Sequence, residues 1–181
     1  MHKESCYTFT EYDPKWPAEF EREAAGLRGL LGSEVVEIHH FGSTSVPGLA
    51  AKPIIDVLPL VRSITAVHGL TAVLEGAGYR AWGEYGLAGR RLFTRDREGL
   101  RTHNVHIYQV GAAGVERHLA FSAYLRQDET ARREYEALKR EVYARHPADV
   151  IAYNEEKDAL IKRIEALAVE WYRSRTMIQL A

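Results

Sequence analysis

Asp56 is the residue that most invites chemistry. It is a lone carboxylate inside the apolar run Ile54-Ile55-Asp56-Val57-Leu58. An ionised acid in such a run must be paired, hydrogen-bonded or metal-bound. Upstream lies Gly42-Ser43-Thr44-Ser45, a stretch of backbone amides and three hydroxyls suited to receiving phosphate, and Lys52 stands between the two. Two readings fit this spacing equally. One is a phosphate cradle followed by a metal-binding acid; the other is a polar turn followed by a strand whose acid caps a neighbour. His40 precedes Gly42 by two residues and points to the same side of its strand, as part of a cleft floor or as a structural donor.

Four further stretches carry candidate groups. Along Thr102-His103-Asn104-Val105-His106-Ile107-Tyr108 side chains alternate between faces, so Asn104, His106 and Tyr108 share one and His103, Val105 and Ile107 the other. If the first face lines the cleft, His106 is a candidate metal ligand or general base near Asp56. The alternative is a pair of buried histidines with satisfied hydrogen bonds. A zinc site drawn from His39, His40, His103 and His106 has no recognised spacing. Arg90 and Arg91 flank the loop Gly83–Gly89, and one of them can reach a phosphate with both guanidinium arms. Glu84 is a weaker candidate for a metal or ribose contact.

On the last helix, Lys157 falls in the centre of an apolar stripe that includes Tyr153, Ile161, Ile164 and Ala168. A lysine there must snorkel out or meet an anion. With Tyr153 one turn earlier, it reads as a pocket wall touching phosphate, or else as one half of an ion pair with Asp56 or another buried acid. The helix from Asp128 to Arg145 reads as a solvated face with i,i+4 pairs, Lys139 among its charges and Ala131, Tyr135, Leu138 and Val142 buried. No chemistry is assigned to it.

The elements that must position these groups can be read in order. Tyr7–Thr10 is a short strand or extended arm. Asp13 and Pro14 start a helix carrying Phe20, Ala24, Leu27 and Leu31, which Gly32 ends. Strands follow at 35–41 and 54–61. Ser63 caps a second helix that stops at Gly76-Ala77-Gly78, and 79–82 is a third strand. Residues 91–95 and 101–110 form strands joined by a hairpin turn at Asp96-Arg97-Glu98-Gly99. Helices are expected at about 115–126, 128–145 and 149–173, with Asp128 and Asp149 as N-caps and a break at His146-Pro147. The plan is α+β: a mixed sheet of four or five strands with flanking helices, its sheet-bearing part about 1–111, and a helical C-terminal half about 112–181. Gly111–Gly114 is too short to link independent domains, so one domain over 1–181 is expected.

Composition sets limits. The chain has 181 residues, 46% hydrophobic and 27% charged, with net charge −1. That is a soluble globular balance with no global basic field to draw nucleic acid or membrane. One cysteine, Cys6, builds neither a disulfide framework nor a zinc quartet. No apolar run spans a bilayer and the N-terminus lacks a leader's apolar core, so a cytoplasmic setting is expected.

The segment His40-Phe41-Gly42-Ser43-Thr44-Ser45-Val46-Pro47-Gly48-Leu49-Ala50-Ala51-Lys52-Pro53-Ile54-Ile55-Asp56 resembles the signature of the GrpB family, assigned to the nucleotidyltransferase superfamily. The likeness continues at Glu84, Gly86, Gly89-Arg90, Arg101-Thr102-His103-Asn104-Val105-His106, Arg117-His118-Leu119-Ala120-Phe121, Tyr153 and Lys157. It implies a nucleotidyltransferase-like fold and favours Arg90 and His106 as site residues. It also implies a divalent cation, magnesium or manganese, held by Asp56 and His106, and a nucleoside triphosphate whose nucleotidyl or phosphoryl group moves to an acceptor. In that superfamily the strand carries a second acid two residues after the first. Here that position is Leu58, which cannot ligate metal. A second expectation is therefore a non-catalytic nucleotide- or phospho-ligand-binding module. The resemblance links it to coenzyme A biosynthesis, because GrpB-like domains occur fused to dephospho-coenzyme A kinases.

Overall fold

The computed structural model describes residues 7–179, with side chains through Arg175; Cys6 lies outside them. Among the described residues, five strands form one sheet in the order β1-β2-β5-β4-β3. They are β1 (Val35–Phe41), β2 (Ile55–Val61), β3 (Arg80–Ala81), β4 (Arg90–Arg97) and β5 (Leu100–Gln109). β2 and β5 run parallel and the other neighbours antiparallel. The α+β class and the mixed sheet are as the sequence predicts. The β4–β5 hairpin turns on Glu98 and Gly99, both at positive φ (53° and 78°), the backbone that a tight two-residue hairpin demands.

The alternation along β2 and β5 decides what each face meets. Ile55, Val57, Val61, Val105 and Ile107 join the main core beneath helix α1 (Trp16–Leu31), with Phe20, Ala24 and Leu27. His103 lies on that face too, 3.8 Å from the buried Glu23 of α1, which also accepts from Arg95 at 2.8 Å and from the Tyr79 hydroxyl. Leu58, Leu60, Phe41 and Tyr108 lie on the other face, under helix α4 (Ala113–Gln127). Asp56 and Asn104, paired in register, share that second face.

The C-terminal half is α4, α5 (Glu129–Arg145) and α6 (Val150–Gln179). Asp128 caps α5 by accepting from Ala131 N–H at 2.8 Å, and Asp149 accepts from the Ile151 and Ala152 amides at the start of α6. Val46 and Leu49, from the β1–β2 connection, pack with Leu125, Tyr135 and Ile164, so this connection is the seam between the two halves. The arm at 7–10 reinforces the seam. Thr10 exchanges both backbone hydrogen bonds with Ala51, while Tyr7 packs with Val142 and Tyr153.

Four elements differ from expectation. Helix α1 begins at Trp16, not at Asp13-Pro14: the Asp13 side chain and carbonyl accept from Lys15 and Trp16, making a turn, and Pro17 rather than Pro14 occupies the first helical turn. The second helix is two, α2 (Ile64–Gly69) and α3 (Thr71–Gly76), broken at Leu70. β4 starts at Arg90 and β3 shrinks to two residues.

Candidate functional site

The site forms where β2 emerges from the β1–β2 connection and meets α5 and α6. Gly42 and the short 3-10 turn Ser43–Ser45 sit over Asp56. The turn is held from below and from the side. Thr44 is buried; its hydroxyl donates to the Ile54 carbonyl and lies 3.0 Å from His40 Nε2. The Ser45 hydroxyl donates to the Gly42 carbonyl and accepts from Arg126, whose guanidinium also grips the Ser45 carbonyl. Gly42 N–H donates to the Ser122 hydroxyl. Two of the three hydroxyls are therefore committed to shaping the turn. The Ser43 hydroxyl faces the Tyr135 hydroxyl, and the first amides of the turn, as in any helical turn, have no partner within it.

Asp56 Oδ1 accepts from Asn104 Nδ2 at 2.9 Å, and Asn104 Oδ1 in turn accepts from Arg101 at 3.3 Å. Around this carboxylate stand three lysines: Lys52 from the β1–β2 connection, Lys139 from α5 and Lys157 from α6. Lys139 and Lys157 are only 2% and 6% exposed. Lys157 Nζ lies 3.8 Å from the centre of the Tyr153 ring, Lys52 Nζ 5.2 Å from the same ring, and Lys139 Nζ 4.9 Å from that of Tyr135. Lys139 also donates to the Ala50 carbonyl. Among the described residues none of the three is in an ion pair with a carboxylate.

Burial and mutual repulsion set the charges. Burial pushes Asp56 up to about 6 against the pull of Asn104 and the three lysines. It pushes Lys157 down to about 6, with Lys52 and Lys139 adding to the effect, and Lys139 down to about 7. Lys52 is lowered as well, again chiefly by burial. An ammonium is thus costly here until an anion arrives.

Other candidates are placed differently from expectation. His106 does share a face with Asn104, but its ring meets Phe41 (5.1 Å) and His118 (5.7 Å), and its Nδ1 faces Arg90 at 3.3 Å. Burial first, and then His118, Arg90 and Arg117, hold it down to about 3, so it stays neutral. Arg90 is itself buried; it donates to the Glu84 and Tyr85 carbonyls and fastens the loop at 83–89 from within. The Glu84 carboxylate accepts from Gly89 N–H and closes the same loop. His40 stacks on Phe20 of α1 at 4.8 Å, on the far face of the sheet from Asp56, and is a structural donor to Thr44. The four histidines weighed as a zinc set lie on different faces with separate partners.

The donor set does not fit a two-metal centre. Leu58, at the position where the family resemblance leads one to expect a second acid, is fully buried against Phe41, Leu60 and Tyr108. Among the described residues no group of three or more His, Cys, Asp or Glu side chains lies close enough to hold a metal ion. Asn104 presents its donor side, not its oxygen, to Asp56.

Sequence reasoning missed Lys139, Ser122 and Arg126. Lys139 had a visible signal: it lies one turn after Tyr135 and two after Ala131, on their buried stripe.

A five-stranded mixed sheet with a Gly-Ser turn ahead of an acid-bearing strand defines a nucleotidyltransferase-like fold. A structure of Cid1 poly(U) polymerase bound to MgATP superposes with a TM-score of 0.54 at 18% identity, over 81% of this chain and 50% of that one. The chain belongs to the GrpB family, whose model, described as GrpB protein, matches residues 7–167. The crystal structure of the conserved protein GrpB from Enterococcus faecalis matches with a TM-score of 0.86 at 43% identity, covering 91% of this chain and 99% of that one. UPF0157 protein YqkA of Bacillus subtilis is 43% identical over 164 residues; the match takes in 91% of this chain but 48% of that protein. A dephospho-CoA kinase of Mycolicibacterium paratuberculosis is 30% identical over 88% of this chain and 45% of its own length. Among the described residues no helix is long and apolar enough to cross a membrane.

Proposed function

We propose that this protein binds a nucleotide, or another phosphorylated small molecule of the cytoplasm, in the pocket formed by Ser43, Lys52, Asp56, Lys139, Tyr153 and Lys157. One observation carries the reading: three lysines from three separate elements, two of them buried, converge on Asp56, with Glu136 acting on Lys139 as well, and among the described residues none is in an ion pair. A folded chain tolerates such a cluster of poorly hydrated lysines where it has an anion to bind. Tyr153 and Tyr135 add flat apolar surface, and the open turn amides add donors. The naming of one fold neighbour as MgATP-bound, and of one relative as a dephospho-CoA kinase, supports a phosphorylated ligand.

Transfer of a nucleotidyl or phosphoryl group with magnesium or manganese is the second reading, favoured by Asp56 directly behind the Gly42-Ser43 turn. The test is to offer the protein nucleoside triphosphates with magnesium, with manganese and with a chelator, following heat of binding and nucleotide consumption together. Binding without consumption supports the module, and consumption with either metal supports transfer. No binding under any condition removes both.

A further inference from the structure

The pocket's ratio of charges is the reverse of a metal centre's. Building on the phosphate-binding reading above, we propose that the pocket takes the di- or triphosphate group of its ligand without a divalent cation, with the lysines standing where a metal-dependent site would place its ions.

Three observations lead there. A hard divalent cation needs oxygen ligands, at phosphate sites one or two carboxylates alongside the phosphate oxygens and water. This pocket offers Asp56 alone. Leu58 is sealed in an apolar cluster, and Asn104 turns its amide nitrogen to Asp56 because its oxygen is taken by Arg101. Next, Lys52, Lys139 and Lys157 all act on Asp56 in a poorly hydrated space, so a cation entering beside it drives protons off their amines and is repelled by any that stay charged, whereas an anion draws protons onto them. Last, three lysines that an arriving anion can charge, set against Asp56 and with Glu136 acting on Lys139, exceed what one phosphate group fills and suit a pyrophosphate or longer chain. Lys52 and Ser43, each half-buried, form the more open side, and Lys139 and Lys157 the depth, so successive phosphates would lie along this line.

Asp56 gives the inference a sign. At a metal site its charge is indispensable. In a metal-free anion pocket it repels the ligand and serves to steady the lysines while the pocket is empty. Asp56→Asn keeps the acceptor that Asn104 uses and deletes the charge.

The experiment is calorimetric titration of the whole chain with orthophosphate, pyrophosphate and tripolyphosphate, once with a chelator and once with magnesium, in wild type and Asp56→Asn. Pyrophosphate and tripolyphosphate are expected to bind with the chelator present, at least about tenfold more tightly than orthophosphate. Magnesium should weaken them by sequestering the ligand, and Asp56→Asn should tighten them several-fold. Should Asp56→Asn fail to fold by its melting curve, Lys52→Met at the open side serves instead, with a tenfold or greater loss expected in chelator. Binding that appears only with magnesium or manganese and vanishes in Asp56→Asn overturns the inference and leaves the phosphate-binding reading standing. Failure of the folded wild type to bind any of the three anions in either condition removes both.

Discussion

Gly42 and Asp56 touch so closely that no side chain fits between them: an ideal Cβ on Gly42 would stand 2.3 Å from Asp56 Oδ2. Gly42 also holds φ at 72°, in the region that glycine enters freely and other residues at a cost. The turn and the acid thus form one unit, and glycine is required twice over, for room and for backbone. Gly42→Ala should lower stability by about 2–4 kcal/mol in urea denaturation. In an Asp56→Ala background the 2.3 Å collision with the carboxylate is gone, leaving the backbone cost and a tight 3.1 Å contact with the Cβ at position 56, so the two changes should couple by about 1 kcal/mol or more. Strict additivity would mean that the turn relaxes away from Asp56 at no cost.

Arg90 offers a prediction of a different kind. Its guanidinium spans the Glu84 and Tyr85 carbonyls and His106 Nδ1, so it reads as the fastener of the 83–89 loop. Arg90→Lys keeps the charge and loses the fork, and should cost about 2 kcal/mol. Limited proteolysis should then cut near Tyr85 and Leu87, both exposed, while affinity for tripolyphosphate stays unchanged. Lost affinity with an intact loop would return Arg90 to the phosphate site.

How much of this was legible in the sequence depends on how local the cause was. The alternation of β5 sorts Asn104 from His103 correctly because a strand buried on both faces has no freedom to slip. The stripe on α6 exposes Lys157 because one cation stands among apolar neighbours. Lys139 is as deeply buried, yet it is masked by the charged residues around it on α5; only its spacing from Tyr135 gives it away. Arg90 and Glu84 look like ligands because they flank glycines, whereas their partners are the carbonyl and amide groups of that same loop, which no side-chain pattern displays. The grip of Ser122 and Arg126 on the turn depends on how α4 docks, a long-range fact without a local sequence mark.

Leu58 tests whether the missing acid could be restored. It is fully buried among Phe41, Leu60 and Tyr108. Leu58→Asp should therefore destabilise the fold by about 3–5 kcal/mol, the range for an uncompensated buried charge, without creating a manganese site. Thermal melts with and without manganese check this. A variant that folds normally and is stabilised by manganese would show that Asp56 is half of a metal centre after all.

Lys157 ties stability, pH and ligand together. Its ammonium is pushed down to about 6 from the ordinary lysine value of 10.5, by burial first and then by Lys52 and Lys139. In the window between those values the unfolded chain holds a proton that the folded chain does not. The contribution of Lys157 to stability must therefore fall as pH falls through that window and level off below about 6. Lys139, pushed down to about 7, adds the same sign. Asp56 adds the opposite slope only between 3.8 and about 6, outside the range of interest. From about pH 9 down to about pH 6.5 the ligand-free protein should lose stability, and Lys157→Met should lose less of it. Near neutral pH the variant should be more stable than wild type by about 1–3 kcal/mol, because the cost of stripping Lys157 of its proton and burying the amine is gone. Saturating tripolyphosphate should reverse the order, since it stabilises the wild type more strongly and its binding should draw protons onto the lysines. Melting curves at the two pH values, and titrations in buffers of different ionisation heat, measure both effects. If Lys157→Met instead costs several kcal/mol in the ligand-free protein, the lysine is paired with Asp56 and the pocket is a structural ion pair.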